Sequence, residues 1–147
     1  MSILSVVILL VKVEIELDMS HYEQLGPKMP KVIERGVDYT ANYTIERLQV
    51  NSPIDTGYLK GWFRYKDTPS MVDIRSPAQY AIYQDQGTGP IHPKRPGGVL
   101  HWEKGGTHYF AKSTKGIKGK RFVEKSIQAT TGRLDSLWIK AIRDVLK

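Results

Sequence analysis

Hydrophobic and polar residues near the start of the chain alternate with a period of two. Residues 11–18 place apolar and charged side chains in turn, and the apolar members are Val11, Val13, Ile15 and Leu17. This alternation is typical of a half-buried β-strand. Together with the apolar run that precedes it, it predicts one strand over residues 5–17.

The apolar run at residues 3–11 has three interpretations. It is a strand inside the sheet, an exposed strand edge that pairs with a neighbouring subunit, or a cleaved leader. The run has no basic region before it and no small-residue cleavage site, and it is about half as long as a membrane-spanning helix. A strand inside the sheet is therefore the first expectation.

A second apolar pattern has the spacing of a helix. The apolar residues recur at intervals of three and four positions, at Ile33, Val37, Ala41, Ile45 and Leu48. Charged residues such as Glu34 and Asp38 lie off that face. The spacing predicts an amphipathic helix over residues 31–49. Pro53 ends it, because the residue before a proline is pushed out of the helical region.

Three short segments rich in aromatic and β-branched residues follow this helix. They are Tyr58–Tyr65, Met71–Ile74 and Tyr80–Tyr83. The turn Asp55-Thr56-Gly57 precedes the first segment, since an Asp side chain bonds nearby backbone and Gly adopts positive φ. Short strands joined by tight turns predict an antiparallel meander.

The next part of the chain reads as a loop and a hairpin. Residues 87–98 contain four Gly and three Pro, a composition typical of a loop. Residues 99–102 and 108–112 are predicted to pair as a hairpin across Gly105-Gly106.

The C-terminal segment carries the apolar pattern of an amphipathic helix that begins at Phe122, with Gly132 expected to divide or bend it.

The order of elements predicts an α+β fold with an antiparallel β-sheet, which consists of the meander and the N-terminal strand. This sheet packs against one long helix in the N-terminal half and a C-terminal helix, with a long Gly/Pro/Lys-rich loop. The predicted organisation is a single domain over 1–147, with an N-terminal strand at 1–18, a helix at 31–49, a sheet at 57–112 that contains the loop 87–98, a basic loop at 113–121 and a C-terminal helix at 122–147.

Composition and charge narrow the functional classes. The 147 residues include no cysteine, which excludes disulfide scaffolds, thiolate metal sites and cysteine nucleophiles. The formal net charge is +7. Residues 60–121 alone carry +8, while residues 1–59 carry −3 and residues 122–147 carry +2. A polyanion or an acidic protein surface is the natural partner of such a segment.

The basic segment supplies the candidate residues for contact with DNA or a protein partner. They are Lys94, Arg95, Lys104, Lys112, Lys115, Lys118, Lys120 and Arg121. Trp102, Tyr109 and Phe110 lie among them, and aromatic rings stack on exposed bases while cations neutralise phosphates. The competing interpretation is a solvated loop whose aromatic side chains turn into the core.

A metal site is the sharpest enzymatic alternative. His92, His101 and His108, with Asp85 and Glu103, are the residue types that bind a divalent metal and activate water for phosphodiester cleavage. No pair of them has the short helical spacing of a compact metal motif. We therefore expect no catalytic residue, no metal and no cofactor.

Two motifs resemble the signatures of a tailed-phage neck and tail-completion family, whose members are head–tail joining or minor tail components. The segment 52–59 is similar to the pattern P-x-D-T-G-x-L, and the segment 80–89 is similar to Y-A-x-x-x-E-x-G-T, with Asp85 in place of Glu. Phe122 matches the Phe that opens the family's terminal helix. The matching residues are Pro53, Asp55, Thr56, Gly57, Leu59, Tyr80, Ala81, Tyr83, Asp85, Gly87, Thr88 and Phe122.

The resemblance implies a non-enzymatic structural virion protein that forms a ring at the neck or tail end. Its implied partners are other copies of itself in a cyclic homo-oligomer, neighbouring connector, portal-side or tail-tube proteins, and DNA in the channel, with no membrane. Its implied location is the virion, and the host cytoplasm during assembly. The alternative hypothesis is a stand-alone cytoplasmic nucleic-acid-binding domain that uses the basic segment 94–121. In either case the motif residues are expected to determine the fold.

Overall fold

The computed structural model describes residues 4–9, 12–17, 26–54 and 57–147 of an α+β protein. The chain divides into two compact units. The first, which we call the core unit, comprises the chain up to Ala81 together with Phe122–Lys147. The second, which we call the hairpin unit, is Ile82–Arg121.

A four-stranded antiparallel sheet lies in the core unit. Its strands are β1 (Leu4–Leu9), β2 (Lys12–Leu17), β3 (Phe63–Thr68) and β4 (Met71–Arg75), and their spatial order is β1-β2-β4-β3. The two central strands place Val13 opposite Ile74 and Ile15 opposite Val72. All four side chains are fully buried, so this face of the sheet forms one side of the core.

Helix α1 (Met29–Asn51) covers that core, as the helical spacing predicted. Ile33, Val37, Ala41 and Leu48 are buried on it, and Ile45 packs against the same cluster. Ser52 caps the end of the helix just before Pro53, and its hydroxyl accepts a hydrogen bond from Trp62 Nε1 at 2.9 Å.

Two further helices complete the core unit, α3 (Phe122–Thr131) and α4 (Leu134–Leu146). The buried hydroxyls of Thr44 and Thr130 lie 3.1 Å apart between α1 and α3. Between α1 and α4, the Tyr39 hydroxyl donates to Asp144 Oδ2 at 2.5 Å. This hydrogen bond raises the pKa of Tyr39 and lowers the pKa of Asp144.

The single strand predicted for residues 5–17 is wrong, because the structure has two strands there. β1 and β2 pair antiparallel, with Leu4 opposite Leu17 and Leu9 opposite Lys12. The alternating half of the pattern was interpreted correctly, since Val13 and Ile15 face the core. β1 belongs to the sheet, paired with β2, and forms one of its two edges.

The third strand of the predicted meander is also wrong. Tyr80–Tyr83 falls on a short helix, α2 (Ala81–Gln86), preceded by a turn. The first predicted strand begins with a single 3₁₀ turn at Tyr58–Lys60 before β3 starts. The predicted continuous sheet over 57–112 is therefore divided: β3 and β4 join the four-stranded sheet, while the remaining strands form a separate pair.

That separate pair is the predicted hairpin, β5 (Leu100–Lys104) and β6 (Thr107–Ala111). The C-terminal helix divides at Gly132 and Arg133, which confirms the expected break. No helix in the described part of the chain is both long and apolar enough to cross a membrane.

Candidate functional site

The hairpin unit is closed at its base by two chain segments that pair with each other. We call this base the clasp and define it as residues 84–91 and 114–121. Backbone hydrogen bonds run between its halves: Thr88 N to Ile117 O at 2.8 Å, Ile91 N to Thr114 O at 3.0 Å, and Arg121 N to Asp85 O at 2.9 Å. The hydroxyl of Thr88 also accepts from Ile117 N at 2.9 Å.

Glycines allow the two halves of the clasp to approach this closely. A Cβ atom at Gly116 would lie within 3.0 Å of the carbonyl oxygens of Thr88 and Gly89. One at Gly119 would meet the backbone of Gln86 equally closely. Gly87 and Gly116 also have positive φ, at +83° and +80°, which an L side chain rarely adopts.

Between the two segments of the clasp along the chain, β5 and β6 form a two-stranded antiparallel hairpin. Its tip is Gly105-Gly106, both at positive φ, the conformation of a tight type I′ turn. The register pairs Trp102 with Tyr109 on one face and His101 with Phe110 on the other. We call these the Trp102 face and the Phe110 face.

Both faces carry exposed aromatic rings. On the Trp102 face, the rings of Trp102 and Tyr109 lie nearly parallel, 14° apart with centroids separated by 5.6 Å. The two residues are 41% and 42% exposed, and Phe110 on the opposite face is 66% exposed. The interpretation in which these aromatic side chains turn into the core is therefore wrong.

All eight candidate cations of the basic segment lie in the hairpin unit, and every one is exposed. None makes an ion pair with a carboxylate of the described residues. The unit contains only two acidic residues, Asp85 and Glu103, so its formal net charge is +6. Most of the excess positive charge of the chain is thus exposed on this unit and is not neutralised by ion pairs with the described residues.

Some basic residues of the core unit, in contrast, make ion pairs within the fold. A cleft of about 630 Å³ lies between α1 and β3 and is lined by as many carboxylates as cations. There the Arg64 guanidinium contacts Asp38 at 2.6 Å and Asp67 at 2.9 Å, and both contacts are ion pairs within the fold. The hairpin unit differs in that none of its eight cations makes such an ion pair with a described residue.

The histidine cluster predicted as an alternative comes together only in part. His101 Nε2 and His108 Nδ1 lie 3.0 Å apart, and one ring nitrogen donates to the other. The ring of His101 also stacks on Phe110, with centroids 4.7 Å apart. Among the described residues, no group of three or more metal-binding side chains is placed to hold an ion.

The motif residues have varied positions. Leu59 and Ala81 are buried in the core cluster. Phe122 is buried at the start of α3 and meets Trp62 edge-on, with centroids 6.3 Å apart. Gly57 has φ of +83°, as the predicted turn required. Asp55 and Thr56 lie outside the described residues.

The two tyrosines of the second motif were expected to pack into a sheet, and they do not. Tyr80 and Tyr83 are exposed, and Ile82 is half-buried. Gly87 and Thr88 do not simply release the chain into a loop, because both belong to the clasp. Reasoning from the sequence missed the roles of Gly116 and Gly119, because the backbone that they approach lies far away in sequence.

The core unit has its own exposed apolar surface, on α4. Ile139, Ile142 and Leu146 recur at helical spacing and are each 41–51% exposed. We call this the α4 stripe.

Comparisons with protein-family models, curated proteins and solved structures find no match to the chain.

Proposed function

We propose that the chain is a structural virion protein of a tailed virus or prophage, a ring-forming subunit of the head–tail junction or tail end. Two kinds of observation support this. The first is the pair of motifs that resemble the neck and tail-completion family. The second is the presence of two separate exposed surfaces, one on each unit: the apolar α4 stripe, and the Phe110 face with its exposed aromatic ring.

The two surfaces carry the proposal. A ring built from head-to-tail contacts needs two different surfaces on every chain, each docking on the other surface of the next copy. The α4 stripe is one such surface, and the Phe110 face of the hairpin is the other. Exposed apolar patches of this kind mark sites of macromolecular contact.

Strand pairing is a weaker way to join subunits at β3. This edge strand has an irregular register between Arg64 and Lys66, and Arg64, Lys66 and Asp67 are charged. Bulges and charged side chains on an edge discourage the addition of another strand. The α4 stripe and the Phe110 face are therefore better subunit contacts than the β3 edge.

The test uses two variants that each lose one surface. Ile139→Glu with Ile142→Glu removes the α4 stripe, and Phe110→Glu removes the Phe110 face. Light scattering after size exclusion and electron microscopy should find rings for the unmodified chain and none for either variant alone. A mixture of the two variants should give dimers, because one intact contact remains between unlike chains.

Two outcomes would count against the proposal: the first rejects the ring itself, and the second rejects the two surfaces assigned to it. One is a monomer at every concentration that also binds nucleic acid tightly in a salt-sensitive way. The other is a ring that both variants still form. Flanking genes for capsid, portal and tail-tube proteins are expected for a subunit of this kind.

The second candidate function is a stand-alone nucleic-acid-binding domain. It is favoured by the eight exposed cations of the hairpin unit, which lie on the same unit as the exposed aromatic pair. A domain of this class would be monomeric and would release its ligand as salt is raised.

A further inference from the structure

We infer that the Trp102 face is a binding platform for unpaired nucleotides of single-stranded nucleic acid. This inference goes beyond ring formation and does not depend on it. The nucleotide platform uses the Trp102 face, whereas the ring contact proposed above uses the Phe110 face. Failure of one can therefore be distinguished from failure of the other.

The side chains on the Trp102 face match this ligand. Residues that alternate along β5 and β6 place Leu100, Trp102 and Lys104 on the same face as Thr107, Tyr109 and Ala111. That face has one cation and no carboxylate, since Glu103 lies on the opposite face with His108. A phosphate can therefore approach Lys104 without meeting a like charge on this face.

The aromatic pair favours a nucleic acid over an acidic protein, because a base stacks on a flat ring and a carboxylate does not. Trp102 and Tyr109 cover only part of each other's rings, and about two fifths of each residue stays exposed. Every base has a flat π-face that stacks on such a ring, whatever the sequence. Duplex DNA hides those faces inside its own stack, so a duplex engages the cations alone.

The surrounding charge adds the longer-range attraction. Seven further exposed cations lie on the same unit. Positive side chains that are not neutralised within the protein draw in a polyanion and release its counterions on binding. The combination of free cations and a stacking pair favours a single strand over a duplex or an acidic protein.

The experiment uses the full chain and its own fluorescence. Of the three tryptophans, Trp62 is buried, Trp138 is half-buried and Trp102 is the exposed one. The protein is titrated with a thymidine oligonucleotide of about 20 nucleotides, with a duplex of equal length, with heparin and with polyglutamate. We expect the single strand to bind most tightly and to quench Trp102. The quenching should disappear in Trp102→Phe, which keeps a ring for stacking.

Three variants test the platform itself. Trp102→Leu with Tyr109→Val keeps an apolar pair with good strand propensity but removes both flat rings, and it should lower single-strand affinity about tenfold or more. Tyr65→Val is the matched control, because it removes a ring that is 58% exposed from strand β3 of the core unit, and it should leave that affinity unchanged. Lys104→Ala should weaken binding and reduce the slope of log affinity against log salt by about 0.7.

Several results would overturn the inference. No binding of the single strand at about 50 mM salt would do so, as would equal binding of single strand, duplex and heparin. So would unchanged single-strand affinity in the Trp102→Leu, Tyr109→Val variant. Preferential binding of polyglutamate would assign the surface to an acidic protein instead.

Discussion

At the scale of single residues, the glycines of the clasp decide whether the hairpin unit can close. Gly116 combines positive φ with a backbone contact that leaves no room for a side chain, and Gly119 has the second constraint alone. Neither role depends on the nucleic-acid or ring proposals. Their nearest neighbours in the clasp are backbone atoms, which cannot rotate away as a long side chain can.

Gly116→Ala should therefore open the clasp. We expect a cost of about 2 kcal/mol or more, because an Ala at positive φ is strained and its Cβ would overlap the carbonyls of Thr88 and Gly89. Gly119→Ala should have a similar effect through Gln86. The control is Gly89→Ala, since nothing lies within 4 Å of that position and its φ is ordinary. Limited proteolysis within residues 92–113 should accelerate in the first two variants and not in the control; equal rates in all three would show that the clasp does not hold the unit.

Gly36 plays a comparable part in the core unit. It lies on α1 directly beneath the ring of Trp138 on α4, and a Cβ there would come within 2.6 Å of Trp138 Cζ3. The absence of a side chain lets α1 and α4 approach.

Gly36→Ala should destabilise the fold by about 1–3 kcal/mol through overpacking. Adding Trp138→Leu should recover part of the loss, because the smaller side chain makes room for the new methyl group. Gly132→Ala, which meets no atom closer than 3.6 Å, is the matched control and should unfold like the unmodified protein. Urea denaturation measures all three, and a neutral Gly36→Ala would mean that the ring of Trp138 moves aside at no cost.

At the scale of elements, Tyr39 and Asp144 join α1 to α4 across 105 residues of sequence. The hydrogen bond needs a protonated phenol and an ionised carboxylate. The pKa of Asp144 is lowered in the folded protein. Its contribution to the stability of the fold is therefore present above the ordinary pKa of an Asp, and it is lost as the pH falls through the lowered pKa. The pKa of Tyr39 is raised in the folded protein. Its contribution to the stability of the fold is therefore present below the ordinary pKa of a Tyr, and it is lost as the pH rises through the raised pKa.

Tyr39→Phe removes this bond but keeps the ring on which Lys140 rests, 4.5 Å from the centroid. The variant should be less stable than the unmodified protein at neutral pH. The difference should shrink in acid below the ordinary Asp range and again in strong alkali. Denaturation curves across pH measure it, and a difference that stays constant with pH would show that the bond makes no contribution.

The sequence predicts elements well where one period governs a whole segment. Helix α1 is such a case, and so is the hairpin, where Gly105-Gly106 marks the turn. The strand predicted over residues 5–17 was wrong because both strands are apolar enough to read as one. Its 13 residues were already more than twice the usual strand length of about five or six.

The error at Tyr80–Tyr83 has a different cause. Tyrosine and isoleucine favour strands, yet the buried residues here are Ala78, Ala81 and Asp85, which recur at helical spacing. The tertiary environment selected the small residues for burial and left the tyrosines exposed, against their propensity. For the candidate interface, the sequence predicted the cations and aromatics, but the pairing of Gly116 and Gly119 with residues far away in sequence is a long-range contact that no local pattern contains.

At the scale of the whole molecule, charge and burial are divided between the units. The core unit contains every residue of the apolar core and has a formal net charge near zero, at +1. The hairpin unit has +6, and among its residues only Asp85 is buried. The core unit therefore supplies the packed interior, and the hairpin unit carries most of the excess positive charge.

This division predicts how the molecule opens. A two-stranded hairpin without a buried apolar side is marginally stable in water, and the clasp adds backbone hydrogen bonds but no core. Amides of β5 and β6 should therefore exchange with solvent far faster than those of β2 and β4, whose facing side chains are fully buried. Hydrogen exchange followed by mass spectrometry measures this, and saturating single-stranded oligonucleotide should slow exchange in the hairpin alone. Equal protection of both sheets without ligand would mean that the hairpin unit unfolds only together with the core unit.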